Sequence, residues 1–273
     1  MPLTRIDEID DRRVADFRVI SDPELMRRRR LFVVEGQLAV ERLLLSRFRV
    51  RSLLVTESAY QRLRVTLGRL NSEIEVFLTN AAGLREVTGF RFHRGCLALG
   101  ERAVATAPSR LVPESCRPIV ALEALSDPDN VGSIFRSAAA FNTTGVLLSP
   151  TCADPLYRKA IRTSMGATLE VPFWIDSDWP NGLTGIRAGG TILVGLTPDP
   201  TAVDLETFVA DSKGVPMTLL FGNEGVGLSR EVLDCCDVRV RIALEESTDS
   251  LNVAISAAIV LQRLRSINWM PLR

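Results

Sequence analysis

The sequence predicts an α/β protein of two domains, the second of which is built on a mostly parallel sheet. Segments with helical spacing alternate with strand-length apolar runs along nearly the whole chain, which is the pattern of layered α/β domains. In the second half these runs are continuously apolar, as is typical of parallel strands covered on both faces. With 273 residues, the chain is long enough for two ordinary domains.

A proline-rich stretch marks the boundary between the domains. Residues 106–118, "TAPSRLVPESCRP", contain three prolines and little apolar periodicity, which is typical of a linker. We therefore predict an N-terminal domain over residues 1–106, a linker over 107–116 and a C-terminal domain over 117–273.

The N-terminal domain is predicted to be small and to alternate strands with helices. Asp22 and Pro23 are typical of a helix start, and the arginine run that follows suits the C-terminal end of the helix dipole. The spacing of apolar residues then predicts strands over 31–36, 50–56, 74–79 and 95–101, and helical segments over 37–46, 58–70 and 80–88.

The C-terminal domain is predicted to hold the parallel sheet. Its expected strands cover 118–125, 145–150, 167–174, 191–197, 217–222 and 238–244. Helices lie between these strands, and a long helix over 250–266 ends the chain. Because an open α/β sheet binds ligands beyond the carboxyl ends of its strands, we expect the functional site at that edge.

The charged residues give limited information about partners. Acidic and basic residues number 33 each, so the net charge indicates no particular partner. Lys159 and Lys213 are the only lysines, and the remaining residues of the basic count are arginines. Arginine forms bidentate contacts with phosphates and stacks on bases, although the codon usage of a GC-rich genome produces the same bias.

The cysteines and the single histidine argue against a metal site. None of the five cysteines are spaced as C-x-x-C, and His93 is the only histidine, so we expect neither a zinc site nor a hydrolase triad. No apolar stretch is long enough to span a membrane, and the N-terminus carries charges where a signal peptide needs an apolar core. We therefore expect a cytoplasmic protein with reduced thiols and without a metal or membrane partner.

The stretch "DPDNVGSIFRSAAAF" predicts a helix of small and apolar residues with one arginine in its middle. Asp129 or Asn130 can cap its start. Arg136 shares a helix face with Gly132 and Ala140, four residues before and after it, so another molecule can approach this arginine closely. The alternative is that Arg136 forms an ion pair with a carboxylate of a neighbouring helix.

The stretch "LLFGNEGVGLS" predicts a strand that runs directly into a glycine turn. Gly222, Gly225 and Gly227 surround Glu224 there, and glycines at such a turn let backbone amides approach a ligand. The order G-x-x-G-x-G is not the dinucleotide fingerprint, and the G-K-[ST] of a phosphate loop is absent. The alternative is a tight structural turn that carries a surface glutamate.

The stretch "IALEESTDSLNVAISAAI" predicts a loop followed by a helix that Ser250 caps. Asn252 is expected in the first turn of that helix, beside alanines that permit close packing. A polar amide in such an apolar, buried-looking segment needs hydrogen-bond partners. The alternative is a capping asparagine in a helix that packs against another subunit.

These three stretches resemble, in order, the three signature motifs of the SpoU (TrmH-type) RNA ribose 2′-O-methyltransferases of the SPOUT class. At the front of the chain, "LFVVEGQLAVERLL" and "HRGCLALGE" resemble the start and the end of the L30e-like RNA-binding domain that these enzymes often carry. The resemblance implies a C-terminal SPOUT domain with a parallel sheet and a deep trefoil knot, which no periodicity predicts, and a smaller N-terminal L30e-like α/β domain. It further implies S-adenosyl-L-methionine as cofactor, rRNA or tRNA as substrate, and a homodimer formed through the catalytic domain.

The resemblance also assigns roles by position. The positions that contact the cofactor are Thr197, Gly222, Asn223, Ile242 and Leu251. The positions associated with catalysis and substrate placement are Asn130, Arg136, Glu224, Ser250 and Asn252. Since an arginine is almost always charged, we expect Arg136 to hold the RNA phosphate and stabilise the developing alkoxide rather than to abstract the proton.

One departure from the family pattern occurs in the third motif. The family commonly begins this motif with Ile-Pro-Met, whereas this chain has Ile242, Ala243 and Leu244. The change removes a rigid proline and keeps the apolar character, so it affects the expected shape of the loop and not the assignment to the family.

Substrate selection is expected to depend on the N-terminal domain. The candidates for contacts with RNA are Arg27, Arg28, Arg29, Arg30, His93 and Arg94, because cationic side chains bind phosphates. The alternative for the arginine run is a solvated helix end.

Two other functions compete with the methyltransferase. A non-catalytic RNA-binding protein could have kept the fold, but the complete set of Arg136, Glu224 and Asn252 argues against it. A nucleotide-dependent dehydrogenase rests only on the glycine turn, and the turn lacks the required fingerprint.

Overall fold

The computed structural model describes residues 3–6, 10–18, 21–70, 74–88, 95–102, 117–245 and 247–268. The chain forms two compact units: one takes its described residues from Met1–Val104 and Pro155–Glu170, and the other from Ala105–Asp154 and Val171–Arg273. His93, Arg94 and the predicted linker over 107–116 lie outside the described residues.

Strands and helices alternate along both units. The strands are β1 (Leu3–Arg5), β2 (Leu31–Glu35), β3 (Arg49–Val55), β4 (Glu75–Leu78), β5 (Cys96–Glu101), β6 (Ile119–Leu122), β7 (Gly145–Leu148), β8 (Phe173–Ile175), β9 (Ile192–Leu196), β10 (Val203–Asp204), β11 (Met217–Phe221) and β12 (Val238–Arg241). The α-helices are α1 (Asp22–Arg29), α2 (Gln37–Leu44), α3 (Glu57–Arg69), α4 (Ala81–Thr88), α5 (Pro128–Ala140), α6 (Arg158–Thr163), α7 (Gly182–Ala188), α8 (Leu205–Asp211), α9 (Arg230–Cys235) and α10 (Val253–Asn268). Short 3-10 helices cover Arg12–Phe17 and Ala167–Leu169.

The first unit is built on a five-stranded mixed sheet in the order β1-β4-β3-β5-β2. Strands β1 and β3 pair with β4 in parallel, whereas β5 runs antiparallel to both β3 and β2. Its core joins Leu54, Phe77 and Leu97 of the sheet to Leu25 of α1 and Leu84 of α4. The alternation of strands and helices that the sequence predicts for this part of the chain is confirmed.

Residues 155–170 belong to the first unit although they follow β7 of the second. Two hydrogen bonds join Arg158 to the Asp22 carboxylate, one from its backbone nitrogen (2.9 Å) and one from its Nε (2.7 Å). Both side chains are mostly buried, so this pair is worth more than an exposed one. Arg42 lies 3.3 Å from the Glu170 carboxylate, and α6 packs against β2. The domain boundaries that the sequence predicts did not anticipate this packing.

The second unit is built on a seven-stranded sheet in the order β10-β12-β9-β11-β6-β7-β8. Every pair of neighbouring strands is parallel, as the continuous apolar runs predict. The four residues of β6, "IVAL", are all buried, and the strand lies between β11 and β7. Helices α5 and α10 pack against each other.

The predicted strand over 167–174 is wrong over residues 167–172. Gly166 adopts a left-handed conformation (φ 88°) and begins the 3-10 turn Ala167–Leu169, so β8 begins only at Phe173. Pro172 has no N–H group for a sheet, and only its carbonyl joins the ladder, by accepting the Val146 N–H at 2.9 Å. The buried apolar residues of 167–171 therefore pack as a turn and not as a strand.

Candidate active site at the carboxyl edge of the parallel sheet

A cavity of about 570 Å³ opens beyond the carboxyl ends of β9, β11 and β12, where a parallel sheet is expected to bind ligands. All five positions that the sequence assigns to the cofactor line this cavity: Thr197, Gly222, Asn223, Ile242 and Leu251. Three of the five positions assigned to catalysis line it as well: Glu224, Ser250 and Asn252. Asn130 and Arg136 are not among the described residues that line it.

The glycine loop, residues 222–228, forms one wall of the cavity. Asn223 and Gly227 exchange two backbone hydrogen bonds, of 3.0 and 2.9 Å, that close the loop into a tight bridge. The Asn223 Oδ1 accepts hydrogen bonds from the N–H groups of Gly225 (2.8 Å) and Val226 (3.2 Å), and its Nδ2 donates to the Ala124 carbonyl at 2.8 Å. The Asn223 side chain therefore fixes the shape of the loop.

Position 222 requires a glycine because the backbone at the start of the loop lies very close to the backbone at its end. A Cβ at this position would lie 2.2 Å from both the Gly227 carbonyl carbon and the Leu228 nitrogen. Both are backbone atoms, so no side chain can move aside to accommodate it. Gly227 is required for a different reason, because its φ is +72°.

A chain of side-chain hydrogen bonds joins the three motifs at the mouth of the cavity. The Asn130 Nδ2 donates to the Glu224 Oε1 at 2.7 Å, and the Asn252 Nδ2 donates to the Asn130 Oδ1 at 3.0 Å. The structure thus connects α5, the glycine loop and the start of α10 through three polar groups that the sequence assigns to catalysis. Glu224 and Asn252 are exposed, and Asn130 is half-buried, so an incoming substrate can reach them.

The caps of α5 and α10 differ from the sequence predictions. Asp127 caps α5 by accepting the Asp129 N–H at 3.0 Å, and neither Asp129 nor Asn130 does so, because Pro128 already occupies the first turn.

Asn252 caps α10: its Oδ1 accepts the N–H groups of Ala254 (2.9 Å) and Ile255 (3.3 Å). The prediction that Ser250 caps this helix is wrong, and Asn252 is exposed rather than buried. The alternative of a capping asparagine, which the sequence left open, is the one observed. The cap fixes Asn252 in the orientation in which its Nδ2 reaches Asn130.

Arg136 projects from the middle of α5 into solvent. Its side chain is exposed, and it has no ion pair or hydrogen bond with any residue that the structure describes. The alternative of an ion pair with a neighbouring helix is therefore not observed in the described part of the chain. Gly132, one turn earlier, is buried, whereas Ala140, one turn later, is exposed. The guanidinium is thus available to a ligand from outside.

The predicted RNA-contacting arginines are exposed at the end of α1 in the first unit. Arg28 pairs with Glu24 (3.2 Å) and Arg29 lies 3.9 Å from Asp16. Arg27 and Arg30 have no ion pair within the described ranges, so their charges are available to a partner.

Glu123 is a residue near the site that sequence reasoning missed. It directly follows β6 and is only 9% exposed. Its carboxylate accepts hydrogen bonds from Trp179 and Ser229. The available signal was a single charged residue in the otherwise apolar run "IVALEAL", since a buried carboxylate needs partners.

Two cysteine thiols and one carboxylate of the second unit have shifted pKa values. Burial raises the pKa of the Cys236 thiol to about 11 and also raises the pKa of Cys152. Both thiols are therefore protonated at neutral pH and are poor nucleophiles. Hydrogen bonds from the Thr201 backbone and hydroxyl lower the pKa of Asp199, which follows the cavity residues Thr197 and Pro198.

The described residues bear on two further kinds of function, metal binding and membrane insertion. Those residues contain no group of three or more His, Cys, Asp or Glu side chains that could hold a metal ion. Within the same ranges, no helix has both the length and the apolar character that crossing a bilayer requires.

The fold and the site define a class of protein: an α/β protein with a ligand cavity at the carboxyl edge of a parallel sheet and a polar chain at its mouth. The family model of the SpoU rRNA methylase family matches residues 117–262, more than half of the chain. An uncharacterized tRNA/rRNA methyltransferase of Mycobacterium tuberculosis (strain H37Rv) is 37% identical over 262 residues, which cover 94% of this chain and 90% of that protein. The chain therefore belongs to the SpoU rRNA methylase family.

Two solved structures share the fold. The AdoMet-bound rRNA methyltransferase from Sinorhizobium meliloti is similar with a TM-score of 0.82 and 24% identity, over 97% of this chain and 98% of that chain. The SpoU methyltransferase AviRb from Streptomyces viridochromogenes, in complex with AdoMet, is similar with a TM-score of 0.79 and 24% identity, over 94% of this chain and 97% of that chain. At this identity the likeness shows the fold.

Proposed function

We propose that the protein is an S-adenosylmethionine-dependent methyltransferase that methylates a ribose 2′-hydroxyl in rRNA or tRNA. The observation that carries this proposal is the hydrogen-bonded chain of Glu224, Asn130 and Asn252 at the mouth of the cavity. The printed names of its relatives, tRNA/rRNA methyltransferases, support the substrate class. The two AdoMet-bound structures of this fold support the cofactor.

The cavity fits S-adenosylmethionine in size and in charge. Its volume of about 570 Å³ lies within the range of small-molecule sites. Among the described residues, it is lined by the carboxylates Glu224 and Asp249 and by no lysine, arginine or histidine. This charge suits a sulfonium ligand without phosphates and disfavours a dinucleotide. We assign the cofactor to Thr197, Gly222, Asn223, Ile242 and Leu251.

When bound, S-adenosylmethionine supplies an electrophilic methyl group. The ribose 2′-oxygen is a poor nucleophile while it carries its proton, so the protein must hold it in line and stabilise the charge that develops on it. We assign this task to Arg136, whose guanidinium is charged, exposed and unpaired within the described chain. It binds the RNA phosphate next to the target and stabilises the developing alkoxide.

Ser250, Glu224, Asn130 and Asn252 position the reacting groups. Asn130 both donates to Glu224 and accepts from Asn252, so its amide orientation is set by both neighbours. The side chains of Glu224, Asn130 and Asn252 connect the helix of Arg136 to the wall of the cavity. They therefore couple the position of the arginine to the presence of the cofactor.

The further partners of the protein are RNA and a second copy of the chain. Arg27, Arg28, Arg29 and Arg30 provide exposed cationic charge for phosphates. We propose that the catalytic domain forms a homodimer and contains the trefoil knot of its family. Exposed apolar residues of the second unit, Leu244 (36%) and Ile255 (53%), support an interface there.

The decisive experiment replaces the exposed guanidinium by Arg136→Ala. We expect methyl transfer to total RNA, followed by mapping of 2′-O-methyl sites, to fall by about 100-fold or more, the order of effect of a lost transition-state contact. Calorimetry should show unchanged binding of S-adenosylmethionine, because Arg136 does not line the cavity. Arg230→Ala, at an exposed arginine of α9, is the matched control and should retain full activity.

Two outcomes would contradict the proposal. Full activity of the Arg136→Ala variant would remove the proposed role of the arginine. Absence of S-adenosylmethionine binding to the wild-type protein, even with RNA present, would favour a non-catalytic RNA-binding protein instead.

A further inference from the structure

We propose that Glu123 is a positioning residue of the cofactor site, whose buried carboxylate holds the far end of the glycine loop and thereby sets the shape of the cavity. The inference rests on the proposed function, because the ligand in question is S-adenosylmethionine. Glu123 does not itself line the cavity, so it acts through the residues that it holds.

The Glu123 carboxylate is buried and receives three hydrogen bonds. Its Oε1 accepts the Trp179 Nε1–H (3.1 Å) and the Ser229 hydroxyl (2.8 Å), and its Oε2 accepts the Ser229 backbone N–H (2.8 Å). A buried carboxylate is unfavourable unless such donors replace its hydration. No salt bridge to Glu123 occurs among the described residues, so these donors compensate the charge.

The chemistry of these partners requires an acceptor-only group at position 123. The Ser229 hydroxyl caps α9 by accepting the Val232 N–H at 3.3 Å, so its single proton is available only for Glu123. The Trp179 indole and the Ser229 amide can only donate. A carboxylate satisfies all three groups, and a neutral amide of the same shape does not.

The two residues after β6 hold the two ends of the glycine loop. Ala124, in a left-handed conformation (φ 54°), accepts the Asn223 Nδ2 at the start of the loop. Glu123 holds Ser229, which directly follows the loop. The Glu123 N–H also donates to the Phe221 carbonyl at 2.9 Å, which continues the pairing of β6 with β11. The residues between these two fixed ends line the cavity.

The competing possibility is that Glu123 only stabilises the fold. The two roles differ in what they change. A stabilising residue affects the melting temperature and leaves the affinity of the folded protein for its ligand unaltered. A positioning residue changes the affinity for S-adenosylmethionine at temperatures well below unfolding.

The test replaces Glu123 by an isosteric amide in the full-length protein. In Glu123→Gln, either orientation of the amide points its NH₂ group at a donor, so at least one hydrogen bond to Ser229 or Trp179 is lost. We expect the calorimetric Kd and the KM for S-adenosylmethionine to rise by about 10-fold or more. The KM for RNA and the kcat at saturating cofactor should stay within about 3-fold of wild type, because Arg136 is unaffected.

Two further variants change the partners of Glu123 and not Glu123 itself. Trp179→Phe removes one donor and keeps both bonds to Ser229, so it should change the Kd by less than about 3-fold. Ser229→Ala removes the hydroxyl contact with Glu123 from the other side, so it should raise the Kd even if Glu123→Gln does not fold.

The outcomes separate this inference from the proposed function. An unchanged Kd in folded Glu123→Gln and Ser229→Ala, with only a lowered melting temperature, overturns the positioning role alone. Wild-type protein that binds no S-adenosylmethionine overturns the proposed function and this inference together.

Discussion

The two segments that wall the cavity are built in different ways. The glycine loop, residues 222–228, is closed by two backbone hydrogen bonds and fixed by the Asn223 side chain. The described residues of the 242–251 segment form no helix or strand, and most of their side chains are exposed. The only backbone hydrogen bond recorded among them joins the Thr248 N–H to the Glu245 carbonyl, at 2.9 Å.

This difference indicates that the two walls contribute to binding in different ways. The glycine loop is held in its shape by its own hydrogen bonds, so a ligand does not have to order it. The described residues of the 242–251 segment are mostly exposed and outside regular structure, which is typical of residues of low local stability. A ligand that contacts this segment must therefore supply the free energy that orders it.

The largest expected effect comes from destroying the preformed wall. In Gly222→Ala the added Cβ would overlap the backbone of Gly227 and Leu228, so the loop must open. We expect the affinity for S-adenosylmethionine to fall by about 100-fold or more, since the loop cannot relax without losing its bridge. Calorimetry measures the loss.

Gly185→Ala, in α7 and outside the cavity, is the matched control. Its Cβ would meet no atom of a neighbouring element within 4 Å, and the affinity for S-adenosylmethionine should stay within about 3-fold of wild type. An unchanged affinity in Gly222→Ala would refute the role of the close approach at that position.

A smaller effect is expected at Asn252, where the second wall joins the polar chain. Asn252→Ala removes both the cap of α10 and the donor to Asn130, so we expect about 1 kcal/mol less stability in urea unfolding. Methyl transfer should also fall, by about 10-fold or more. Asn252→Asp keeps a capping oxygen and removes the donor.

The aspartate variant therefore separates the two functions of Asn252. We expect it to keep wild-type stability and to lose methyl transfer as the alanine variant does. If the aspartate variant were fully active, the link to Asn130 would have no part in catalysis.

The smallest effect concerns the free energy of local opening. Amide hydrogen exchange should be faster in the described residues of 242–251 than in the glycine loop. Addition of S-adenosylmethionine should slow exchange in 242–251 more than in 222–228, because only the former becomes ordered on binding. Equal protection of both walls in the ligand-free protein would remove the distinction between them.

Local sequence patterns predicted the parallel sheet and the position of the site at its carboxyl edge. Continuous apolar runs indicated buried parallel strands, and the strand that ends at Phe221 placed Gly222 at the carboxyl edge. The resemblance to family motifs added the residues that line the cavity. Neither source predicted the contacts of Glu123, because Trp179 and Ser229 are 56 and 106 positions away in the sequence.

The cap of α10 could not be decided from the sequence for a related reason. Ser250 and Asn252 are both good caps, and the choice between them depends on Asn130, which lies 122 positions from Asn252. Likewise, the spacing of residues 155–170 predicts their local structure and contains no information about which unit they join. Such long-range choices are decided by tertiary packing.

The membership of residues 155–170 in the first unit has a consequence for how the protein can be divided. Because this segment lies between β7 and β8, the chain passes from one unit to the other three times. A single proteolytic cut in the predicted linker would therefore leave residues 155–170 of the first unit covalently joined to the second unit. A fragment that begins after the predicted linker would carry Arg158 and Glu170 without their partners Asp22 and Arg42. Each unit is made of two separate stretches of sequence, so neither unit can be excised whole as one continuous piece.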